Sequence, residues 1–392
     1  MIKRFQVALL IETSNAYARG LLRGIHAYLR EHQPWSIYLP EQGRGAAPPE
    51  WLKRWRGDGI IARIENLPIA NAIRAKRLPT VDVSAWRFLP KLPCVETDNE
   101  AIARIAFNHL RDCGFKNMAY CGDERFQWSR ERRESFERLA GEAGCRIDTY
   151  PPANGARVRP TSWEEEEKQL SAWVRQLARP CGVMACYDIR GWQLLEACRS
   201  AAVAVPDEVA VVGVDNDDLL CNLSEPPLSS VIPDADRAGY QAASLLDRMM
   251  TSGQTVEGLH LLKPTGIVIR QSSDVLAITD PHVSQAVRFI RHHACEGIKV
   301  GDLLRAVPVS RRILEARFKK LLGHSPHDEI LRVQLQRVKQ LLEETDLPLK
   351  VIADRAGFKH VEYLSAVFKR QIGHPPGEYR TNHRLRSAAP VA

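Results

Sequence analysis

Aspartate, asparagine, arginine and aromatic residues stand just beyond several short apolar runs of this chain, where together they could hold a polyol. Asn15 and Tyr17 follow FQVALLIE (5–12), with Thr13 and Ser14 beside them. Trp86 follows VDVSA (81–85), Tyr187 and Asp188 close GVMACYD (182–188), and Asp215 and Asn216 end VAVVGVDN. Arg132 lies in the first turn of the amphipathic stretch SRERRESFERLAGEAG (129–144). Carboxylates, amides and guanidinium groups hydrogen-bond pairs of hydroxyls, and an aromatic face packs on the C–H face of a sugar ring. Asp and Asn at strand-to-helix junctions also serve as helix caps, so each residue alone has a purely structural reading.

A second set of residues is written twice. SRRILEARFKKLLGHSP (310–326) returns as HVEYLSAVFKRQIGHPP (360–376), pairing Leu314 with Leu364, Phe318 with Phe368 and Lys319 with Lys369 at a constant offset of fifty. Two copies are too few for a solenoid, so the pattern predicts a duplicated supersecondary motif. Each copy reads as a short helix, a turn and a longer helix: KVGDLLRAV before one, PLKVIADRAGF before the other, with Gly357 in the second turn. Ser310 is expected to cap the first long helix and Gly323 to end it. Ile313, Leu314 and Phe318 are expected to face a core, as are Tyr363, Leu364 and Phe368, leaving Arg311, Arg312, Glu315, Val361, Glu362 and Ser365 outward. That is a helix-turn-helix, whose second helix offers its amino-terminal residues to base edges. Arg312 is placed to bridge a guanine, while Lys319, two turns on, is expected to meet phosphate or nothing.

The elements that must position these residues alternate. Short apolar runs over residues 1–273 are separated by amphipathic stretches such as YARGLLRGIHAYLRE (17–31) and NEAIARIAFNHLRDCG (99–114). Strands with a helix between each pair imply parallel sheets covered on both faces, with ligands outside the carboxyl ends of the strands. Gly20 and Gly24 form a GxxxG in the first helix, read as close helix packing. Residues 274–283, DVLAITDPHV, read as a linker, and residues 284–392 as all-helical. The 392 residues suffice for two or three domains, and 44% of them are hydrophobic, enough for sizeable cores.

Charge separates the two parts. Residues 281–392 hold 20 Lys and Arg against 11 Asp and Glu, whereas the rest holds 35 against 36. A local basic excess is the footprint of a nucleic-acid domain. No apolar run approaches the ~18 residues of a membrane span, and MIKRFQVALLIETSN lacks a signal-peptide cleavage pattern, so a cytoplasmic protein is expected. The nine Cys contain no CxxC and read as small buried hydrophobes rather than zinc ligands or disulfides. GxGxxG after a strand, GxxxxGK[ST], GxSxG and HExxH are all missing, which speaks against an enzyme and calls for no cofactor and no metal.

VAVVGVDN followed by LSEPPLSSV, together with RERRESF and ACYD, resembles the periplasmic-binding-protein-like sensor domain of LacI-type repressors over about residues 5–273. The resemblance implies a two-lobed α/β sensor and gives ligand-binding roles to Tyr17, Arg132, Asp188 and Asp215. LacI-type repressors carry a DNA-binding head before the first strand; here that strand starts almost at Met1, so any DNA reader lies elsewhere. The pattern IADRAGF…YLSAVFKRQIGHPPGEYR closely resembles the AraC-type DNA-binding domain, with two helix-turn-helix units joined by a long helix, here HDEILRVQLQRVKQLLEE (327–344). Base contacts are thereby implied for Arg312, Glu315 and Ala316, then Val361, Glu362, Ser365 and Ala366, with Arg311, Lys319 and His360 also on the DNA-binding surface. Ala316 and Ala366 stand where the family often has Arg. A LacI-type sensor ahead of an AraC-type reader implies a sugar-responsive transcription activator with D-xylose or another monosaccharide as effector. It further implies double-stranded operator DNA, a homodimer and RNA polymerase as partners, and no membrane. A sugar-binding transport receptor is the alternative from another class.

Overall fold

The computed structural model describes residues 4–41, 43, 46–150, 162–253, 257–274 and 280–388. The chain divides into two compact units, Met1–Leu276 and Ala277–Ala392. Of the expected linker 274–283, residues 275–279 lie outside the described residues, and Pro281 already opens a helix that Asp280 caps by accepting from the Val283 N–H.

The first unit holds two six-stranded sheets. One contains β1 (Gln6–Leu10), β2 (Ser36–Tyr38), β3 (Gly59–Ala62), β4 (Thr80–Asp82), β5 (Cys94–Thr97) and, far along the chain, β11 (Leu259–Leu262), in the order β11-β5-β4-β3-β1-β2 with every pair parallel. The other contains β6 (Asn117–Cys121), β7 (Arg146–Tyr150), β8 (Cys181–Ala185), β9 (Val209–Val214), β10 (Ser229–Ile232) and β12 (Gly266–Val268), in the order β12-β10-β9-β8-β6-β7; only β12 runs antiparallel. The chain therefore crosses between lobes three times, after β5, after β10 and between β11 and β12. QVALL, GIIA and VAVVGV are almost wholly buried, as parallel strands covered on both faces must be.

The covering helices are α1 (Ala16–Glu31), α2 (Glu50–Arg54), α3 (Leu67–Lys76) and α9 (Ala235–Ser252) on the first lobe. On the second they are α4 (Asn99–Asp112), α5 (Gln127–Glu142), α6 (Trp163–Gln176), α7 (Asp188–Ser200) and α8 (Asp218–Leu223). α1 and α9 cross backbone to backbone. A Cβ on Gly24 would lie 1.8 Å from the Asp236 carbonyl oxygen, and one on Gly239 1.9 Å from that of Leu21. The GxxxG thus packs helix on helix.

The second unit is helical: α10 (Pro281–His293), α11 (Val300–Ala306), α12 (Arg311–Leu322), α13 (Pro326–Glu344), α14 (Leu349–Arg355), α15 (Val361–Ile372) and α16 (Pro376–Ala388). Two small cores form. Leu314 and Phe318 pack with Val287, Ile290, Leu303 and Ile330; Leu364 and Phe368 pack with Leu335, Val338, Ile352 and Phe358. α13 joins the cores, contributing Ile330 to one and Leu335 and Val338 to the other. Its buried Gln334 donates to the Ala294 carbonyl at 2.9 Å and to that of Gly357 at 3.3 Å. Gly357 is left-handed, φ +80°, and a Cβ there would sit 2.7 Å from the Ala294 oxygen and 2.8 Å from the Gly297 nitrogen.

Candidate effector pocket and DNA-reading surface

The carboxyl ends of both sheets face a common cleft. Tyr17, Arg63 and Glu96 from the first lobe and Trp128, Arg132 and Asp215 from the second enclose a cavity of only about 10 Å³. A sugar ring is far larger, so it reaches these groups only if the lobes part or side chains swing aside.

The first-lobe wall is a buried charge cluster. Arg63 donates to Glu12 at 2.5 Å and to Glu65 at 2.7 Å, and its guanidinium lies 5.4 Å from the Tyr17 ring centre. Asn15 donates to Glu12 at 2.9 Å and accepts from the Ala18 N–H at 2.9 Å, so it braces Glu12 while capping α1. Glu96 takes the N–H and hydroxyl of Thr97, and burial pushes its carboxyl up to about 7 even though Arg63 pulls it down. Among the described residues the buried Tyr17 hydroxyl makes no hydrogen bond of ordinary geometry.

In the second-lobe wall Arg132 donates to Asn99 at 2.9 Å and to the Cys186 carbonyl at 2.6 Å, and lies 4.9 Å from the Trp128 ring centre. Asp215 has φ +107° and is presented on a turn. Asp188 lies behind that turn, 1% exposed, accepting from the Asp217 N–H at 2.7 Å and from Ser230 at 2.6 Å. Burial, then the neighbouring Asp215 charge, raises its carboxyl well above the usual range.

Of the eight effector-binding expectations, Tyr17, Arg132 and Asp215 meet at the cavity. Asn15, Tyr187 and Asp188 stand behind it; Tyr187 packs edge-on against Trp128 at 5.5 Å. Trp86 stacks on Phe88 and receives the Arg130 guanidinium of the other lobe at 5.4 Å. Asn216 accepts from Arg270 at 2.9 Å and lines a neighbouring cavity of about 460 Å³. Tyr17 and Asp215 border that cavity too, and in its wall Arg19 reaches across to Asp217 at 3.0 Å. Sequence reasoning missed Glu12, Arg63, Glu96 and Trp128. Glu12 and Glu96 lie at the ends of apolar strand runs, the position that had singled out the others, and Arg63 follows GIIA directly.

Asp82 is a buried acid outside the pocket. At the end of β4, Asp82 accepts from the Ser84 hydroxyl at 2.7 Å, and burial pushes it up to about 8 although hydrogen bonds from Ser84 and the backbone pull it down. The folded state thus holds its proton more tightly than the unfolded chain, so this contribution is complete below about pH 4 and is lost as pH rises through about 8. Asp82→Asn, which mimics the protonated form, should make the sensor's melting temperature less pH-dependent over that window and raise it relative to wild type at its upper end. An unchanged slope in thermal melts would contradict the assignment.

In the helical unit α11–α12 and α14–α15 form the two expected helix-turn-helix motifs, and Gly323 and Gly373 end the long helices in left-handed geometry. Arg312, Ala316, Lys319, His360, Glu362 and Ala366 are exposed, as is Arg311, which pairs with the half-buried Glu315 at 2.8 Å; Ser365 is half-buried. Three expectations are corrected. Ser310 occupies the N-cap but its side chain makes no capping bond. Val361 is half-buried against the second core instead of facing out. Ile313 and Tyr363, expected inside, are 44% and 48% exposed, because of two adjacent apolar residues on a helix only one can lie at the centre of the buried stripe, and Leu314 and Leu364 take it.

A cleft between α/β lobes lined by sugar-compatible groups, followed by twin helix-turn-helix motifs, defines a ligand-sensing transcription regulator rather than an enzyme. Residues 6–100 match the XylR N-terminal domain, 107–273 a periplasmic binding protein-like domain, and 303–382 a helix-turn-helix domain. The chain is 34% identical to the xylose operon regulatory protein of Escherichia coli K12 over 96% of its own length and 97% of that protein's. To the Haemophilus influenzae protein of the same name it is 33% identical, over 96% and 98%. It also superposes on a solved xylose-binding transcription activator, XylR, with a TM-score of 0.79 and 33% identity, covering 97% of this chain and 98% of the other. The chain belongs to the xylose operon regulatory protein family, and its DNA-binding domain is of the AraC type. The transport-receptor alternative does not fit a family of transcription regulators. Among the described residues no helix is long and apolar enough to cross a membrane.

Proposed function

We propose that this chain is a cytoplasmic, D-xylose-dependent activator of xylose catabolic genes, and that the sugar binds among Tyr17, Arg63, Glu96, Trp128, Arg132 and Asp215. The observation that carries the reading is the convergence of those six from both lobes on one spot. Asp215 and Glu96 accept from ring hydroxyls, the arginines donate to them, and Tyr17 and Trp128 cover the ring's apolar face. A ligand held by both lobes favours one interlobe arrangement by its differential affinity for the two states, and that shift is what the reading domains report. The regulator acts as a homodimer on operator DNA with RNA polymerase as partner.

Isothermal titration of the full chain with D-xylose, L-arabinose and D-ribose tests the reading. D-xylose should bind most tightly. Asp215→Asn should weaken it by about 1.5–3 kcal/mol, the value of a hydrogen bond to a charged group, because Asn tolerates the positive φ and keeps the turn. Sugar-free DNA binding should persist. Tighter binding of another pentose reassigns the effector, and Asp215→Asn binding D-xylose like wild type removes the pocket assignment.

A further inference from the structure

Both reading helices leave an apolar side chain in the open at the same register. Ile313 is the third residue of α12 and Tyr363 the third of α15, exposed to 44% and 48%. A single exposed apolar residue needs no explanation. Two at equivalent positions, each beside an exposed alanine, Ala316 or Ala366, do. At 3.6 residues per turn Ile313 and Ala316 share the outward face with Arg312, and Tyr363 and Ala366 share it with Glu362. The Tyr363 ring is held in place by buried Phe358, 6.2 Å away centre to centre. Exposed cations follow each apolar pair, Lys319 and Lys320 on one helix and Lys369 and Arg370 on the other, which suits a polyanion.

The major groove offers one apolar group, the C5 methyl of thymine. We infer that Ile313 with Ala316, and Tyr363 with Ala366, read thymine methyl groups, one contact in each half of the site. The inference rests on the DNA-binding role of this domain. It assigns part of the sequence readout to hydrophobic contact, where an arginine at 316 and 366 would have read guanine.

The probe is a duplex enriched from a random-sequence pool by the full chain, with each thymine in turn replaced by deoxyuridine, which removes the methyl group alone. Wild type should bind about four-fold more weakly at one or more positions in each half-site, the value of burying one methyl group. Ile313→Ala should lose that dependence in one half only, and Tyr363→Ala in the other; both side chains are half-exposed, so the truncations leave the cores intact. Enriched duplexes indifferent to every deoxyuridine overturn the inference and leave the regulator assignment standing. So does a methyl penalty that persists in both variants, or an Ile313→Ala chain whose oligomeric state changes while its DNA affinity does not. A pool yielding no enriched sequence overturns both.

Discussion

Replacing Arg63 by methionine is expected to cost the sensor about 3–5 kcal/mol, the usual penalty for leaving one side of a buried ion pair uncompensated. Arg63, Glu12 and Glu65 are each about 5% exposed at the side chain, so water cannot replace the lost partner. Burial works against the Arg63 charge, and Glu65 and Glu12 outweigh it. Without the guanidinium those two carboxylates and Glu96 share a buried site with no cation on the first-lobe wall. Arg63 is what pulls the buried Glu96 carboxyl down, so without it Glu96 takes up a proton more readily and the deficit should narrow as pH falls. All eight tryptophans lie at or before Trp192, so urea unfolding followed by tryptophan fluorescence reports the sensor alone within the intact chain. A loss below about 1 kcal/mol would mean that the cluster relaxes into solvent and is not a closed network.

Gly239→Ala should be nearly as damaging, at about 3 kcal/mol, the upper end of the usual overpacking range. The new methyl would lie 1.9 Å from the Leu21 oxygen and 2.7 Å from its carbonyl carbon, both backbone atoms of α1 that no rotamer change can move. α1 and α9 would have to separate, opening space around Leu21, Ile25 and Ala242 in the core they share. Because α1 begins at Ala16, the shift would also carry Tyr17 away from the pocket, so sugar affinity should fall with stability. Gly141→Ala on α5 is the contrasting case. Nothing lies within 4 Å of its would-be methyl, so the same substitution there should stabilise by about 0.5–1 kcal/mol through reduced backbone entropy of the unfolded chain. Equal effects at the two positions would show that helix propensity, not the close crossing, governs Gly239.

The strands were legible in the sequence where both faces are buried, as in QVALL and VAVVGV, because continuous apolar runs mark them. β11 was not, because its Leu259 and Leu261 are exposed at a sheet edge and its neighbours are polar. The rule that ligands bind beyond strand ends found Tyr17, Arg132 and Asp215. It passed over Glu12 and Arg63, although both stand at the ends of apolar runs, because they are 51 residues apart in the chain and each alone looks like an ordinary solvated charge. Asp188 met the rule yet faces inward, since Ser230 and the Asp217 N–H hold both its oxygens. In the repeat, periodicity located the reading helices but turned Ile313 inward along with Leu314, and Tyr363 along with Leu364; packing keeps only the two leucines inside.

The bonds from Gln334 to the Ala294 and Gly357 carbonyls, with Gly357 packed close to Gly297, tie the two halves of the DNA-reading unit together. The unit therefore behaves as a caliper set to one opening. B-DNA turns once in about 10–10.5 base pairs, so one inserted base pair rotates the far half of a site by roughly 35°. Halves tied in this way are expected to resist following. Any misfit in phase is taken up by twisting or bending the duplex, and its cost depends on how stiff the untouched base pairs between the halves are. Sequence that no side chain contacts would then count toward affinity.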